Sequence, residues 1–362
     1  MANFGTNVGE KFAKNVLGIF FQRSIAVDIT NQDYEGEIKG GGADRLNVLT
    51  FSALSLKSYS GTAMSVDTPS ESEAQLIVDQ KKAYYFQIES FAKFASYVSD
   101  PESSLIDTAG KTLARTVDNF VLSFTGDVAS GNRIGTDYTT GTVTVTTGTG
   151  AVTGVGTTFT SGMVGLGFKA LGHTAWYRVK TFSSTTAIVI EDDKDDVASA
   201  YTGGAIGAGA TFTIEAVSAI TVTKSTIFDY IVDLKTKLDE DEIPAEDRWL
   251  AMPSIVANLL LKSSQLQTAV DTAYEDVIKK GIVGYVAGFK CYSNEQVLGN
   301  NTTGYMCLAG HKSFITMAMA FTESGVEDFI GGFGQNFKGL NCYGAKVADE
   351  RRKAGAYLFV KV

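Results

Sequence analysis

The feature that most constrains the fold is a long amphipathic helix predicted for residues 100–126, DPESSLIDTAGKTLARTVDNFVLSFTG. Asp100 suits the N-cap and Pro101 the first helical position, while Gly126 and the polar residues after it end the helix. At about 1.5 Å per residue this helix spans roughly 35 Å, the width of a small domain. Its apolar positions form one stripe: Leu105, Ala109, Leu113, Val117, Val121 and Phe124.

The segments before this helix have the pattern of projecting arms. Residues 7–22 predict an amphipathic helix with Phe12 and Phe20 on its apolar face, which must dock on its own core or on another copy. After a flexible run of three glycines, residues 46–50 and 54–58 alternate apolar and polar side chains, which predicts the two strands of a hairpin. A lone hairpin needs another surface to lie on. Residues 70–88 predict a strand that returns towards the helix.

Composition changes abruptly after the helix. From residue 138 to residue 162 the chain has no charged side chain and consists mainly of Thr, Gly and Val. Alternating β-branched residues separated by glycines are typical of short strands and turns. We therefore predict an inserted all-β module at about 136–216, with the main domain resuming near Ile220.

The remaining sequence alternates helices and strands. Ser225 is the expected cap of a helix whose apolar face carries Ile227, Ile231, Leu234 and Leu238. The segment RWLAMP predicts a short strand, and Ser254 is the expected cap of the next helix. Residues 268–280 predict a further helix, and the chain ends on a strand.

The formal net charge of −9 argues against non-specific binding of nucleic acid, which needs clustered Lys and Arg. The three cysteines, Cys291, Cys307 and Cys342, have no paired spacing and are expected to be reduced thiols. The sequence has no signal-peptide pattern and no run of about 18 apolar residues, so we expect no membrane association and assembly in the cytoplasm.

One glycine pattern resembles a nucleotide-binding loop. Thr149, Gly150, Gly154 and Gly156 match the spacing found in short-chain dehydrogenases. That chemistry needs a buried strand before the glycines and a helix after them, whereas TTFTSG follows here. A nucleotide-dependent oxidoreductase is therefore the weakest alternative.

Other candidate sites are sparse. Asp192, Asp193, Asp195 and Asp196 cluster around Lys194 and are weak candidates for calcium ligands, with a solvated turn as the ordinary interpretation. His173 and His311 are the only histidines, and neither has a nucleophile or zinc ligand at a suitable spacing. We predict no catalytic site, no cofactor and no metal with an essential role.

Four segments together resemble the major capsid proteins of tailed bacteriophages. They are Ile243–Pro253 with Asn258–Leu260, then Gly281–Gly284 through Gly288–Lys290 and Ser293, then Gly310–Ile315, and finally Tyr343–Val347. They occur in the family's order and cover most of residues 220–362.

The resemblance implies an α+β fold of the Hong Kong 97 type with an inserted all-β domain. It implies an N-terminal arm at 1–33, an extended loop at 34–75, a peripheral domain at 76–135 with the long helix as its spine, and the inserted domain at 136–216. The axial domain and a return to the peripheral domain take up 217–362. Subunit contacts are expected at Phe12, Phe20, Leu46, Val48, Leu54, Leu56 and Lys57.

The implied function is self-assembly into hexamers and pentamers of an icosahedral virion shell that encloses double-stranded DNA. The implied partners are neighbouring subunits, a portal, possible decoration proteins and, because the chain starts at Met1 with the arm, a separate scaffolding protein. Lys39 and Lys57 lie in the loop, but no matching Asn supports a covalent cross-link. A tail-tube or decoration protein of the virion is the main alternative.

Overall fold

The computed structural model describes residues 19–20, 23–33, 45–51, 71–89, 101–194, 200–263, 282–328 and 334–362. The helices with both ends in these ranges are α1 (Ala26–Ile29), α2 (Pro101–Leu122), α3 (Ile227–Glu240) and α4 (Ser254–Leu261). The first strands are β1 (Arg45–Phe51), β2 (Glu71–Ile77), β3 (Gln80–Glu89) and β4 (Arg133–Ile134). The next eight are β5 (Thr136–Tyr138), β6 (Thr142–Val145), β7 (Ala151–Val155), β8 (Gly167–Ala170), β9 (Tyr177–Ser184), β10 (Ala187–Asp192), β11 (Ile206–Ala210) and β12 (Phe212–Ser218). The last are β13 (Ile220–Thr221), β14 (Arg248–Met252), β15 (Ile282–Val286), β16 (Phe289–Ser293), β17 (Gly299–Asn300), β18 (Gly304–His311), β19 (Thr316–Asp328), β20 (Gly334–Lys346) and β21 (Gly355–Lys361).

The chain divides into two compact units. Within the described residues, the first unit takes the stretch from Asn31 to Gly110 and Ile315–Glu350, and the second takes the rest. The helix α2 contributes residues to both, since the boundary falls after Gly110. Its extent confirms the predicted long helix, although it ends at Leu122 and a short 3₁₀ turn follows at Phe124–Asp127. No helix in the described ranges is long and apolar enough to span a bilayer.

The first unit is built on a three-stranded antiparallel sheet in the order β19-β20-β3. Phe86 and Phe337 lie directly opposite each other on adjacent strands, and their rings stack with centroids 5.4 Å apart. Tyr84, Ile88 and Ala109 of α2 pack on the same cluster. A cross-strand aromatic pair covered by a helix is a stable way to bury one sheet face.

A two-stranded ribbon belongs to the same unit. β1 pairs antiparallel with β2, from the pair Arg45–Ile77 to the pair Phe51–Glu71. Leu76 is fully buried and packs with Val78, Ala318 and Cys342. The predicted hairpin partner, residues 54–58, lies outside the described residues, and the observed partner of β1 is β2. The predicted strand 70–88 is two strands, because Val78 and Asp79 interrupt the ladder.

The second unit contains a mixed sheet in the order β13-β21-β18-β14-β16-β15, with β4 also beside β21. Every residue of β14 is buried, since it lies between β16 and β18 and under the helices. The helix α3 buries the four side chains predicted for its apolar face, which confirms that stripe: Ile227, Ile231, Leu234 and Leu238.

The two predicted serine caps are wrong. The helix α3 begins at Ile227 after Thr226, and the Ser225 hydroxyl lies 2.9 Å from the Thr223 hydroxyl instead of capping the helix. The helix α4 begins at Ser254 itself, after Pro253. Its free Ser254 N–H donates to the Glu295 carboxylate at 2.9 Å, so a side chain distant in sequence satisfies this end.

A second sheet in this unit contains all eight strands between Thr136 and Ser218, in the order β11-β6-β7-β10-β9-β8-β12-β5. Adjacent strands are antiparallel throughout. Tyr138 on one end strand and Ile206 on the other both pack on one core, which includes Phe159, Phe168 and Phe212. The sheet therefore curls around its own aromatic core, and we refer to it as the curled sheet.

Candidate functional site

The residues predicted as subunit contacts fall into three groups. Phe20 is fully buried inside its own chain, so its side chain is not available to a neighbouring copy and that prediction is wrong. Leu46 and Val48 lie on β1, opposite Leu76 and Ala74. Phe12, Leu54, Leu56 and Lys57 lie outside the described residues.

A buried carboxylate on α2 holds residues 24–26 against that helix. Asp118 of α2 accepts hydrogen bonds through Oδ1 from the Ser24 hydroxyl at 2.6 Å and from the Ile25 and Ala26 N–H groups at 3.2 and 3.1 Å. Its Oδ2 accepts from the Asn294 side-chain amide at 2.8 Å. Burial raises the pKa of Asp118, although these hydrogen bonds act in the opposite direction. Residues 24–26 are thus fastened to the long helix and to the loop after β16.

The fastening continues along the same segment. The Tyr292 hydroxyl donates to the Asp28 carboxylate at 3.1 Å, and the Lys290 ammonium lies 3.6 Å from the same oxygen. Ile25, Ala26 and Ile29 are buried beside these polar contacts. Sequence reasoning missed Asp118, although one signal was present: a carboxylate next to the apolar positions Val117 and Val121.

Among the described strands, β3 lies at the edge of the three-stranded sheet of the first unit. Among the described strands β3 has one neighbour, β20, so its other row of backbone N–H and C=O groups has no ladder partner there. Tyr84, Phe86 and Ile88 are half-buried, whereas Tyr85 is 66% exposed and Gln87 is exposed. Such an edge can add a strand from another polypeptide. The β1–β2 ribbon also has few partners, and a two-stranded ribbon alone is marginally stable.

In the acidic cluster predicted as a weak calcium site, the carboxylates of Asp192 and Asp193 already bind other groups of the protein. The Asp192 carboxylate accepts from the Thr202 N–H and hydroxyl at 3.0 and 2.7 Å. Asp193 pairs with Arg352 at 2.7 Å and accepts from the Ser130 N–H at 2.6 Å. Burial alone would raise the pKa of Asp193, but Arg352, the Ser130 hydrogen bonds and Arg133 hold it below its ordinary value. Asp195 and Asp196 lie outside the described residues.

The part of the chain that the structure describes has no cluster of three or more His, Cys, Asp or Glu able to hold a metal ion. His173 lies in the core of the curled sheet, with Nδ1 accepting from the Ala170 N–H at 3.3 Å and Nε2 2.9 Å from the Tyr201 hydroxyl. His311 Nδ1 lies 2.8 Å from the Ser313 hydroxyl. Burial lowers the pKa of both rings.

The glycine pattern that suggested a nucleotide site forms a β-hairpin. β6 and β7 pair antiparallel, and Gly150 turns between them with φ of 64°. A side chain at Gly150 would meet the Ile190 carbonyl oxygen at 2.1 Å, so this glycine allows β10 to approach. No α-helix begins between Gly156 and Lys194, a stretch that the structure describes in full and in which the nearest helical element is a short 3₁₀ turn at Ser161–Met163, so the geometry that binds a pyrophosphate is not formed.

The cysteine thiols are enclosed. All three are buried, and none forms a disulfide. Burial raises the pKa of Cys291 and of Cys307 to about 12, so neither forms a reactive thiolate near neutral pH.

No protein-family model and no curated protein sequence matches this chain. Several solved structures do. A structure from Mycobacterium phage Che8 has a TM-score of 0.55 at 16% identity and covers 93% of this chain and 91% of its own. The capsid structure of the cyanophage P-SCSP1u has a TM-score of 0.51 at 14% identity, over 89% and 84% of the two chains. The capsid of Ralstonia phage GP4 has a TM-score of 0.52 at 8% identity, over 94% and 92%.

These likenesses define the fold of the chain. Its class is α+β, with a few helices against several sheets, as the sequence predicted. More particularly, the chain has the fold of phage capsid subunits over nearly its whole length. The capsid fold implied by the four sequence segments is therefore confirmed.

Proposed function

We propose that this chain is the major capsid protein of a tailed phage and that it self-assembles into the icosahedral shell around double-stranded DNA. The observation that carries the proposal is the coverage of the fold: 93% of this chain aligns with 91% of the Che8 chain. A fold shared over whole chains is stronger support than a shared motif or domain. The protein then acts by contact between copies, without a catalytic step.

The free edge of β3 and the β1–β2 ribbon support this proposal. Among the described strands, β3 pairs with β20 alone and β1 with β2 alone, and a second copy can supply a further strand. Many weak contacts that close a shell give strong overall binding, because losing one subunit breaks several contacts together.

In this proposal the arm at 1–33, the extended loop at 34–75, the peripheral domain at 76–135, the inserted domain at 136–216 and the region 217–362 have the roles that they have in the capsid family. The three-stranded sheet supports the proposed return of the C-terminal region, since β3 pairs with β20. Residues 24–26 are an exception to the arm, because hydrogen bonds to Asp118 hold them against α2.

The proposed partners are neighbouring copies in hexamers and pentamers, a portal, a separate scaffolding protein and a possible decoration protein. The proposed location is the virion, after assembly in the host cytoplasm. A net charge of −9 suits a wall that encloses DNA without binding it tightly.

Electron microscopy of the purified protein tests the proposal. We expect closed icosahedral shells, alone or with co-expressed scaffolding protein. Tubes would favour a tail-tube protein instead, and monomers that bind only to preformed heads would favour a decoration protein.

A deletion separates folding from assembly. Removing residues 40–60, which include β1, should leave a soluble subunit with normal circular dichroism that forms no shells. Wild-type protein from the same preparation is the control. Normal shells from the deletion variant would contradict the proposed role of the loop.

A further inference from the structure

A buried carboxylate lies where the curled sheet meets the loop before β4. Glu215 of β12 has a side chain that is 3% exposed. Its Oε2 accepts from the Gly131 N–H at 2.7 Å, across the junction. Its Oε1 has no hydrogen-bond donor within the described residues. One donor is few for a buried carboxylate, which ordinarily needs several to offset its lost hydration.

The adjacent arginine, Arg133, does not supply the missing hydrogen bonds to Glu215. Arg133 Nε lies 3.5 Å from Glu215 Oε1, which is an ion pair without a hydrogen bond. Its N–H groups are directed elsewhere: Nε and Nη2 donate to the Val128 carbonyl at 3.2 and 2.7 Å, and Nη1 donates to the Gly165 carbonyl at 2.6 Å. The arginine thus ties the loop to the curled sheet through carbonyl groups, and it does so whether Glu215 is charged or neutral.

The other charged groups around Glu215 add little support for its ionised form. Asp193 and Asp137 have the same sign, and Asp193 already engages Arg352. The phenol of Tyr357 lies near the pair from the side of β21. Glu215 also lines a cavity of about 290 Å³ whose other walls include Trp176, Asp233 and Lys237. Because Asp233 is exposed, this cavity gives the carboxyl group a route for exchanging protons with solvent.

We propose that Glu215 is a pH-sensitive latch between the curled sheet and the loop 128–133. Neutral Glu215 holds this junction closed, and its ionisation makes the junction open more readily. The inference concerns one chain and does not depend on the proposed shell.

The direction follows from proton binding. Burial raises the pKa of Glu215 to about 7, with Asp193 and Asp137 adding to the rise, while Arg133 and the Gly131 N–H act against it. Opening the junction exposes the carboxyl to water and returns its pKa towards the ordinary 4.5. Between these two values the closed form binds more protons than the open form. Closure is therefore favoured as pH falls towards 4.5 and weakened as pH rises through 7.

Hydrogen exchange of the intact protein measures this opening. The Ser130 and Gly131 amides bond directly to Asp193 and Glu215, so their protection reports on the closed junction. After correction for intrinsic exchange rates, we expect their protection to rise about fourfold from pH 8.5 to pH 6.5. The pKa values of His173 and Asp193 are lowered from 6.5 and 3.8, so the unprotonated form of each group predominates across this window.

Two variants make the test specific. Glu215→Gln keeps the shape and removes the charge, so its protection should be high and independent of pH. Asp233→Asn changes an exposed carboxylate on the same cavity and should keep the wild-type pH response. The proposal is overturned if wild-type protection is flat or rises with pH, or if Glu215→Gln retains the response.

Discussion

At the residue scale, the polar groups that matter most are those buried within apolar surfaces. Asp118 and Glu215 are both enclosed carboxylates, but their surroundings differ. Asp118 accepts four hydrogen bonds, whereas Glu215 accepts one. The hydrogen bonds of Asp118 hold residues 24–26 in place, whereas the pKa of Glu215 is raised to about 7.

Replacing Asp118 with Ala should release the segment 24–26. The Ser24 hydroxyl and the Ile25 N–H would be left without their acceptor in a buried site, which costs on the order of 1–3 kcal/mol. Urea unfolding of the unassembled subunit, followed by circular dichroism, measures this loss. Asn119→Ala, an exposed neighbour on the same helix, is the matched control and should be neutral. Equal stability of the two variants would refute the role of Asp118.

Residue-scale predictions from the sequence succeeded where the signal was local. The stripe of α3 was predicted because its spacing is set by one helix. The engagement of Asp118 with Ser24 and Asn294 could not be predicted, because it joins residues 94 and 176 positions away from the helix. The same reason applies to the prediction for Phe20. An apolar face shows that a helix packs against another surface, but it does not show which surface.

At the element scale, one glycine determines how closely the ribbon approaches the three-stranded sheet. A side chain on Gly344 of β20 would meet the Ile77 carbonyl oxygen at 2.2 Å and the Val78 Cα at 2.8 Å. These are backbone atoms and cannot turn aside as a side chain can. Gly344 lies in the segment Tyr343–Val347, which resembles the last segment of the capsid family. A glycine is needed here because β2 packs closely against β20.

Gly344→Ala should separate β2 from β20 and destabilise the first unit by about 1–3 kcal/mol, since added atoms in a packed contact force backbone shifts. Thermal unfolding measures the effect. Gly325→Ala on β19 is the control, because its new methyl group would meet only the flexible Lys338 side chain, at 3.1 Å. If both variants unfolded at the same temperature as the wild type, the close approach of β2 to β20 would not be important for stability.

Strand identity was predictable, but strand pairing was not. β14 was predicted from its composition, and β1 from alternation. The pairing of β1 with β2 was not predicted, because residues 54–58 and 71–77 both alternate and alternation carries no information about which ladder forms. Pairing depends on contacts between distant segments, such as Leu76 with Ala318 and Cys342.

At the scale of the whole molecule, the curled sheet and the mixed sheet have separate cores. Among the described residues, the core against α3 and α4 contains none from the stretch between Thr136 and Ser218, and the core of the curled sheet contains none from outside that stretch. Their contact runs instead through polar groups, chiefly Arg133 with the Gly165 carbonyl and Arg352 with Asp193.

Replacing residues 137–217 with an Asn-Gly turn should therefore leave the rest of the chain folded. We expect a cooperative transition at a lower temperature than in the wild type, because Arg133 loses Glu215 and the Gly165 carbonyl and Arg352 loses Asp193. Adding Arg352→Gln to the deletion should recover part of the loss. Differential scanning calorimetry measures both, and loss of any cooperative transition would show that the two cores depend on each other.

The pairing of Thr136 with Ser218 has a consequence for the history of the chain. The two ends of the inserted segment lie side by side, so a single genetic event could add or remove it without moving the flanking backbone. For the same reason, a foreign sequence with adjacent termini could be grafted at this point. The proposed shell would then display that sequence once on every subunit.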